Sequence, residues 1–182
     1  GNGDEFGTDI IKIENNGYIL LGSTTSYGNG DLDILMIKID DEGEEQWMRN
    51  YGIGSNDIGQ AIVQTRDGGY MVQFLVEGYG HGNSATGLMK LNSAGDVLWT
   101  NAFGGTVNTM SKMFSKINSN EYISVCSQID YSSNTSNTWM IKIDDEGEII
   151  WERIFGKLGK DDGFSAIPTF DGGFIFTGRS NS

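Results

Sequence analysis

Residues 38–47 read KIDDEGEEQW, and residues 142–151 read KIDDEGEIIW. Between them, residues 90–99 read KLNSAGDVLW. Three positions are constant: Lys38, Lys90 and Lys142; Gly43, Gly95 and Gly147; Trp47, Trp99 and Trp151. Each step is 52 residues, with no insertion or deletion. Tyr51, Phe103 and Phe155 keep the same step, as do Tyr18, Tyr70, Tyr122 and Phe174. Chance does not align so many columns of uncommon residue types, so the chain is a tandem repeat.

Each unit reads as four short strands. The first is TDIIKI, QAIVQT, KMFSKI or SAIPTF, closed by a turn NNGY, DGGY, SNEY or DGGF. Asn-Gly, Asp-Gly and Gly-Gly supply the positive φ of a tight hairpin. The second strand begins at the conserved aromatic, as in YILLGS, and a polar loop follows. The third strand is ILMIKID, GLMKLN or WMIKID. After a DEG or SAG turn the fourth carries the Trp, as in EEQWMRNYG. Alternation of period two, and no amphipathic helix, makes the chain all-β. Four antiparallel strands in about fifty residues is the pattern of a propeller blade. The predicted fold is a β-propeller-like arc of four-stranded blades, with units at roughly 1–52, 53–104 and 105–156 and a half unit at 157–182.

Composition agrees. The chain has 182 residues, 27 of them Gly and one Pro, which suits many tight turns and argues against a helical bundle. Its net charge is −13. A polyanion repels phosphate backbones and anionic lipid, so no nucleic-acid partner and no membrane insertion are expected. No apolar run reaches the length of a membrane-spanning helix. Cys126 is the sole cysteine, so an intramolecular disulfide is impossible. Its setting, YISVCSQI, reads as a small residue in a core strand.

The columns DGGY/F and K-x-D-x-x-G-x-x-x-W-x-x-x-[FY]-G resemble the repeats of secreted and surface-attached bacterial and archaeal β-propeller proteins. KIDDEGEEQW is also similar to the tryptophan-docking motif of quinoprotein-like propellers. The resemblance covers the whole chain. It implies a secreted or cell-surface location, and a function anywhere from quinone-dependent dehydrogenase to non-catalytic assembly factor.

The chain holds about three and a half units. A closed ring has no exposed edge, whereas an arc has two. Three arrangements follow: excision from a longer propeller, pairing of two copies, or end-to-end stacking into a filament. The expected partners are therefore the remaining blades of a parent propeller or another copy, through the open edges. Strand counting disfavours simple closure by two copies, because each has surplus first and second strands.

The acids Asp40, Asp41 and Glu42, repeated at Asp144, Asp145 and Glu146, suggest calcium, but they sit on a hairpin turn without EF-hand spacing. The middle unit has Asn92, Ser93 and Ala94 there, so they read as solvated turn residues. No cofactor is expected, with calcium as the one possible metal. The variable loops are better candidates for binding a glycan or protein ligand: Asn29, Asp31 and Asp33 in GNGDLD, Tyr79 and His81 in GYGHGNS, and Asn137. Lys38, Lys90 and Lys142 lie in apolar strands and need partners, for which Asp57 and Asp161 are expected. Being repeated, the Lys, Gly and Trp columns are structural. A nucleophile–His–acid set would have only His81 to use, and Arg49, Arg66, Arg153 and Arg179 fall on different strands. The Asp-box of sialidases resembles DDEGEEQW, which carries one residue more before its Trp. The expected function is a non-catalytic binding or scaffolding module. A glycan-processing or quinoprotein-type enzyme, and a self-assembling subunit, are the alternatives. An enzyme would need several unrepeated charged groups in one cleft.

Overall fold

The computed structural model describes residues 1–13, 17–28, 31–53, 55–78, 84–104 and 107–181. The described residues hold fourteen strands and no helix. The first sheet is β1 (Glu5–Lys12), β2 (Tyr18–Thr24), β3 (Asp33–Ile39) and β4 (Glu45–Tyr51). The second is β5 (Asp57–Gln64), β6 (Tyr70–Glu77), β7 (Ser84–Leu91) and β8 (Val97–Phe103). The third is β9 (Asn108–Lys116), β10 (Glu121–Asp130), β11 (Thr135–Asp144) and β12 (Ile149–Phe155). A two-stranded sheet, β13 (Asp161–Pro168) and β14 (Phe174–Ser180), follows. Every sheet is an antiparallel meander in chain order, and the four form a β-propeller-like arc.

The first strand of each unit starts three or four residues before its apolar run. A β-bulge explains why sequence reading missed this. Thr8, Gln60, Lys112 and Phe164 each lack a cross-strand partner and interrupt the alternation at the same place. A second bulge recurs in the fourth strand at Gln46, Leu98 and Ile150. It sets each repeated Lys directly opposite its Trp, as Lys38–Trp47, Lys90–Trp99 and Lys142–Trp151.

Three hydrophobic clusters lie at the three sheet junctions. Ile19, Leu21, Ile34 and Met36 of the first sheet meet Tyr70, Val72, Phe74 and Met89 of the second. Met71 and Leu88 of the second meet Phe114, Tyr122, Cys126 and Ile141 of the third. Ile123, Val125 and Met140 of the third meet Ala166, with Phe174 packed alongside. Cys126 is fully buried, and burial pushes its thiol pKa up.

The Trp column packs against the three clusters from their margin. Trp47, Trp99 and Trp151 are half-buried, because their strands lie at the outer edge of each sheet. Trp47 meets Tyr70 of the next sheet edge-on at 6.5 Å, and Trp151 meets Phe174 likewise at 5.6 Å. The Gly column has two jobs. Gly43, Gly95 and Gly147 have φ of 88°, 84° and 86°, which the turn requires. Gly95 and Gly147 also let each turn press against the sheet before it. Tyr51 donates its hydroxyl to the Gly95 carbonyl at 2.7 Å, and Arg49 Nε donates to Ala94 at 3.0 Å. A Cβ on Gly147 would lie 2.6 Å from the Trp99 ring. At Gly43 that space is open.

Candidate functional site

Asn29, Tyr79 and His81 lie outside the described residues. Asp31 is exposed, and its N–H donates to Ser55. Asp33 is not a loop ligand: it is 1% exposed at the start of β3, with Gly28 and Gly52 closed over its carboxylate. Asn137 stands two repeats on in the same column, half-buried on β11 beneath Gly156. Both side chains fill the space under a glycine in the connecting loops, a packing task the loop composition did not reveal.

Lys90 and Lys142 find partners other than those expected. Lys90 Nζ lies 3.3 Å from Asp67 and 3.1 Å from Asp145, and Lys142 pairs with Glu121 at 2.8 Å. Asp57 and Asp161 instead accept the backbone N–H groups of Ile53 and Lys157, closing the loops before their strands. Asp145 is therefore not a solvated turn residue. It ties the third sheet to Lys90 of the second and accepts the Tyr122 hydroxyl at 2.6 Å. Burial, and then the Asp145 carboxylate, push the Tyr122 pKa up. Asp40, Asn92 and Asp144 each accept two backbone N–H groups of their own turn, so Asn replaces Asp there without loss. Among the described residues no cluster of His, Cys, Asp and Glu could hold a metal ion.

The unrepeated chemistry gathers elsewhere. A cleft of about 260 Å³ opens where the third sheet meets β13–β14. Lys112, Asp130, Lys160, Asp162 and Arg179 all border it. In the other units these columns hold residues such as Thr8, Gly78, Asn56, Ile58 and Leu75, so none of the five charges repeats. Both acids are already committed. Burial alone raises the Asp162 pKa, but the Ser127 and Ser136 side chains nearby, whose hydroxyls reach no hydrogen-bond geometry among the described residues, and the Arg179 guanidinium outweigh it and lower the carboxyl below its usual range. Arg179 contributes through Nε and Nη2, both 2.9 Å from Oδ2. Ser132 and Ser133 bring Asp130 down to about 2. The ammonium groups keep their capacity. Among the described residues Lys112 Nζ makes one hydrogen bond, to the Met110 thioether at 3.1 Å, and Lys160 Nζ makes none. Tyr131, largely exposed, forms part of the rim.

Lys112 is also a wall of a second cavity of about 260 Å³, together with Thr8, Gln60, Gln73 and Ser111. The bulges of β1, β5 and β9 thus bring their three extra residues to one place. Gln73 is fully buried, and its Oε1 accepts the Ser124 hydroxyl at 2.8 Å, which leaves Nε2 as the spare donor. Gln73 Nε2 and Gln60 Oε1 have no partner among the described residues. Buried orphans of this kind cost about 1–3 kcal/mol each. The sequence assigns no role to Gln60, Gln73, Lys112, Asp130, Lys160 or Asp162, and it names Arg179 only among scattered arginines. The one signal was that units disagree in these columns.

The two end faces are uncovered. Ile10 is 58% exposed, while Ile62, Phe114 and Ala166 in the same column are 2%, 7% and 4% exposed. At the other end Ile175 is 59% exposed, against 0–1% for Ile19, Met71 and Ile123.

No family profile matches this chain. No curated protein matches it either. Among solved structures it is similar to the Pyrococcus horikoshii acylaminoacyl peptidase, with a TM-score of 0.50 and 11% identity. The match covers 95% of this chain and 32% of the peptidase chain. At that identity the likeness concerns the fold alone.

Proposed function

We propose that this chain is a non-catalytic binding module of a secreted or cell-surface protein, and that its ligand enters the charged cleft. One observation carries the reading: five charges from five unrepeated columns meet in one cleft, on a scaffold whose repeated residues join sheet to sheet. The same convergence is what the enzyme alternative requires, so the carboxyls decide between the two readings. A glycoside hydrolase needs one carboxyl with a raised pKa as proton donor. Asp130 and Asp162 are both shifted the other way. The cleft offers spare cationic donors, which suits an anionic group. The resemblance to surface propeller repeats supports the location.

The test is an NMR titration of the ¹⁵N-labelled chain with sodium acetate. Shifts confined to residues around Lys112, Lys160 and Arg179, and lost in Arg179→Ala, are expected. Shifts spread evenly over the surface would end this reading.

The uncovered end faces support a second, compatible role. Each repeats a face that is buried at the internal junctions, so its natural cover is another sheet of the same repeat, from a longer chain or another copy. Light scattering that gives a monomer at all concentrations, with no change on Ile10→Asp, would count against self-assembly.

A further inference from the structure

We infer that the open edge of β14 docks an extended polypeptide strand with a Lys between two aliphatic residues, the pattern of this repeat's own third strand. The inference deepens the second role above and rests on it. A cavity of about 360 Å³ lies between the third sheet and β13–β14. Met140, Trp151, Arg153, Phe155, Phe174 and Phe176 border it.

The molecule shows twice what fills this position. At the first junction Met89 and Leu91, on the third strand of the later sheet, belong to the cluster against which Trp47 and Tyr51 pack. At the second, Ile141 and Ile143 of β11 belong to the cluster against which Trp99 and Phe103 pack. At the third, Trp151 and Phe155 are in place, but among the described residues the later sheet has two strands and supplies no such pair. Phe176 is 37% exposed there, whereas Val72 and Ser124 in its column are 0% and 1% exposed. Among the described residues β14 pairs with β13 alone, so its other row of backbone groups is open. Extended peptides add to such an edge through main-chain hydrogen bonds, and their alternate side chains enter the pockets beside it.

The register and the charge follow from the complete sheets. Leu91, Lys90 and Met89 stand opposite Tyr70, Met71 and Val72. Ile143, Lys142 and Ile141 stand opposite Tyr122, Ile123 and Ser124. The same register on β14 sets aliphatic residues opposite Phe174 and Phe176, and a Lys opposite Ile175. Asp171 is ready for that Lys. Its counterpart Asp67 accepts the Thr65 hydroxyl and the Gly69 N–H through Oδ1, and its Oδ2 lies 3.3 Å from Lys90. Asp171 Oδ1 accepts the Thr169 hydroxyl and the Gly173 N–H in the same way, yet among the described residues Asp171 makes no ion pair. The third strands β3, β7 and β11 are each paired on both edges. The docking strand therefore comes from a partner segment not already built into a sheet.

The test is fluorescence anisotropy of a labelled synthetic peptide of residues 135–155, which spans β11 and β12, added to the whole chain. Saturable binding is expected, with amide hydrogen exchange slowed at β14 and around the cavity. Phe176→Asp should abolish it. Asp171→Asn keeps the acceptor of the turn and should weaken binding about threefold, as should Lys142→Gln in the peptide. The two changes together should cost no more than either alone, and both protein variants should keep the circular dichroism of the parent. If the peptide does not bind, or a scrambled peptide binds as tightly, the strand proposal falls. The second role then stands where light scattering still shows association that Ile10→Asp removes. If the peptide does not bind and the chain stays monomeric at all concentrations, both fall.

Discussion

Replacing Asp145 with Ala should loosen the second junction more than any other turn substitution. Lys90 is 2% exposed and depends on Asp145 and Asp67 to offset its desolvation. Breaking a buried ion pair from one side costs about 3–5 kcal/mol. Two features reduce that here: Asp145 is 26% exposed, and Asp67 remains 3.3 Å from the ammonium. Tyr122 also loses its acceptor, at about 1 kcal/mol. The expected loss is therefore about 3 kcal/mol, a large part of the roughly 5–15 kcal/mol that holds a domain folded. Asp41, its counterpart in the first sheet, accepts only the Gly17 N–H in the structure described, so Asp41→Ala should cost about 1 kcal/mol or less. Urea unfolding followed by Trp fluorescence measures both, and Lys90→Met with the double variant completes a cycle. A coupling of about 2 kcal/mol between Lys90 and Asp145 is expected. Equal losses for Asp41→Ala and Asp145→Ala, or a coupling near zero, would refute the tie between sheets.

The other predictions use the same repeat as an internal control. Gly43→Ala should cost about 1–2 kcal/mol from the positive φ alone. Gly147→Ala should cost about 2 kcal/mol more, because its Cβ strikes the Trp99 ring. Thermal melts compare the two, and equal losses would contradict the docking of this turn. Ile62→Ala should cost about 2–4 kcal/mol, and Ile10→Ala in the same column about 0.5 kcal/mol or less, by urea midpoint. Acid should destabilise the chain. The carboxyls of Asp67, Asp130 and Asp162 are depressed on folding from an ordinary 3.8, so they stabilise the fold above that value. Their contribution is lost as pH falls from about 5 toward 2. A urea midpoint that stays constant over that range would overturn this, and Asp162→Asn should flatten the slope.

Much of the architecture is legible in the primary structure. A column repeated every 52 residues reports what each sheet needs: a positive-φ turn, an aromatic for the next sheet, and a Lys opposite a Trp. The sheets follow from period-two alternation and hairpin turns, which are local properties. The bulges were hidden because they break that alternation. The Lys partners were misread because Asp145 lies 55 residues from Lys90 in the chain and faces it only after two sheets have packed. Asp33 reads as a loop ligand for a similar reason, since its burial comes from Gly28 before β3 and Gly52 after β4.

The cleft shows the division best. The repeat alone fixes which residues serve the scaffold, because a property that recurs in every unit belongs to what every unit does. It cannot show where the exceptions meet. Lys112, Lys160 and Arg179 lie on β9, before β13 and on β14, and only the packing of the third sheet against β13–β14 makes them neighbours. Hydrophobic periodicity encodes a sheet within a few residues. Convergence of polar groups depends on the rotation between sheets, which is set by side-chain packing at the junctions.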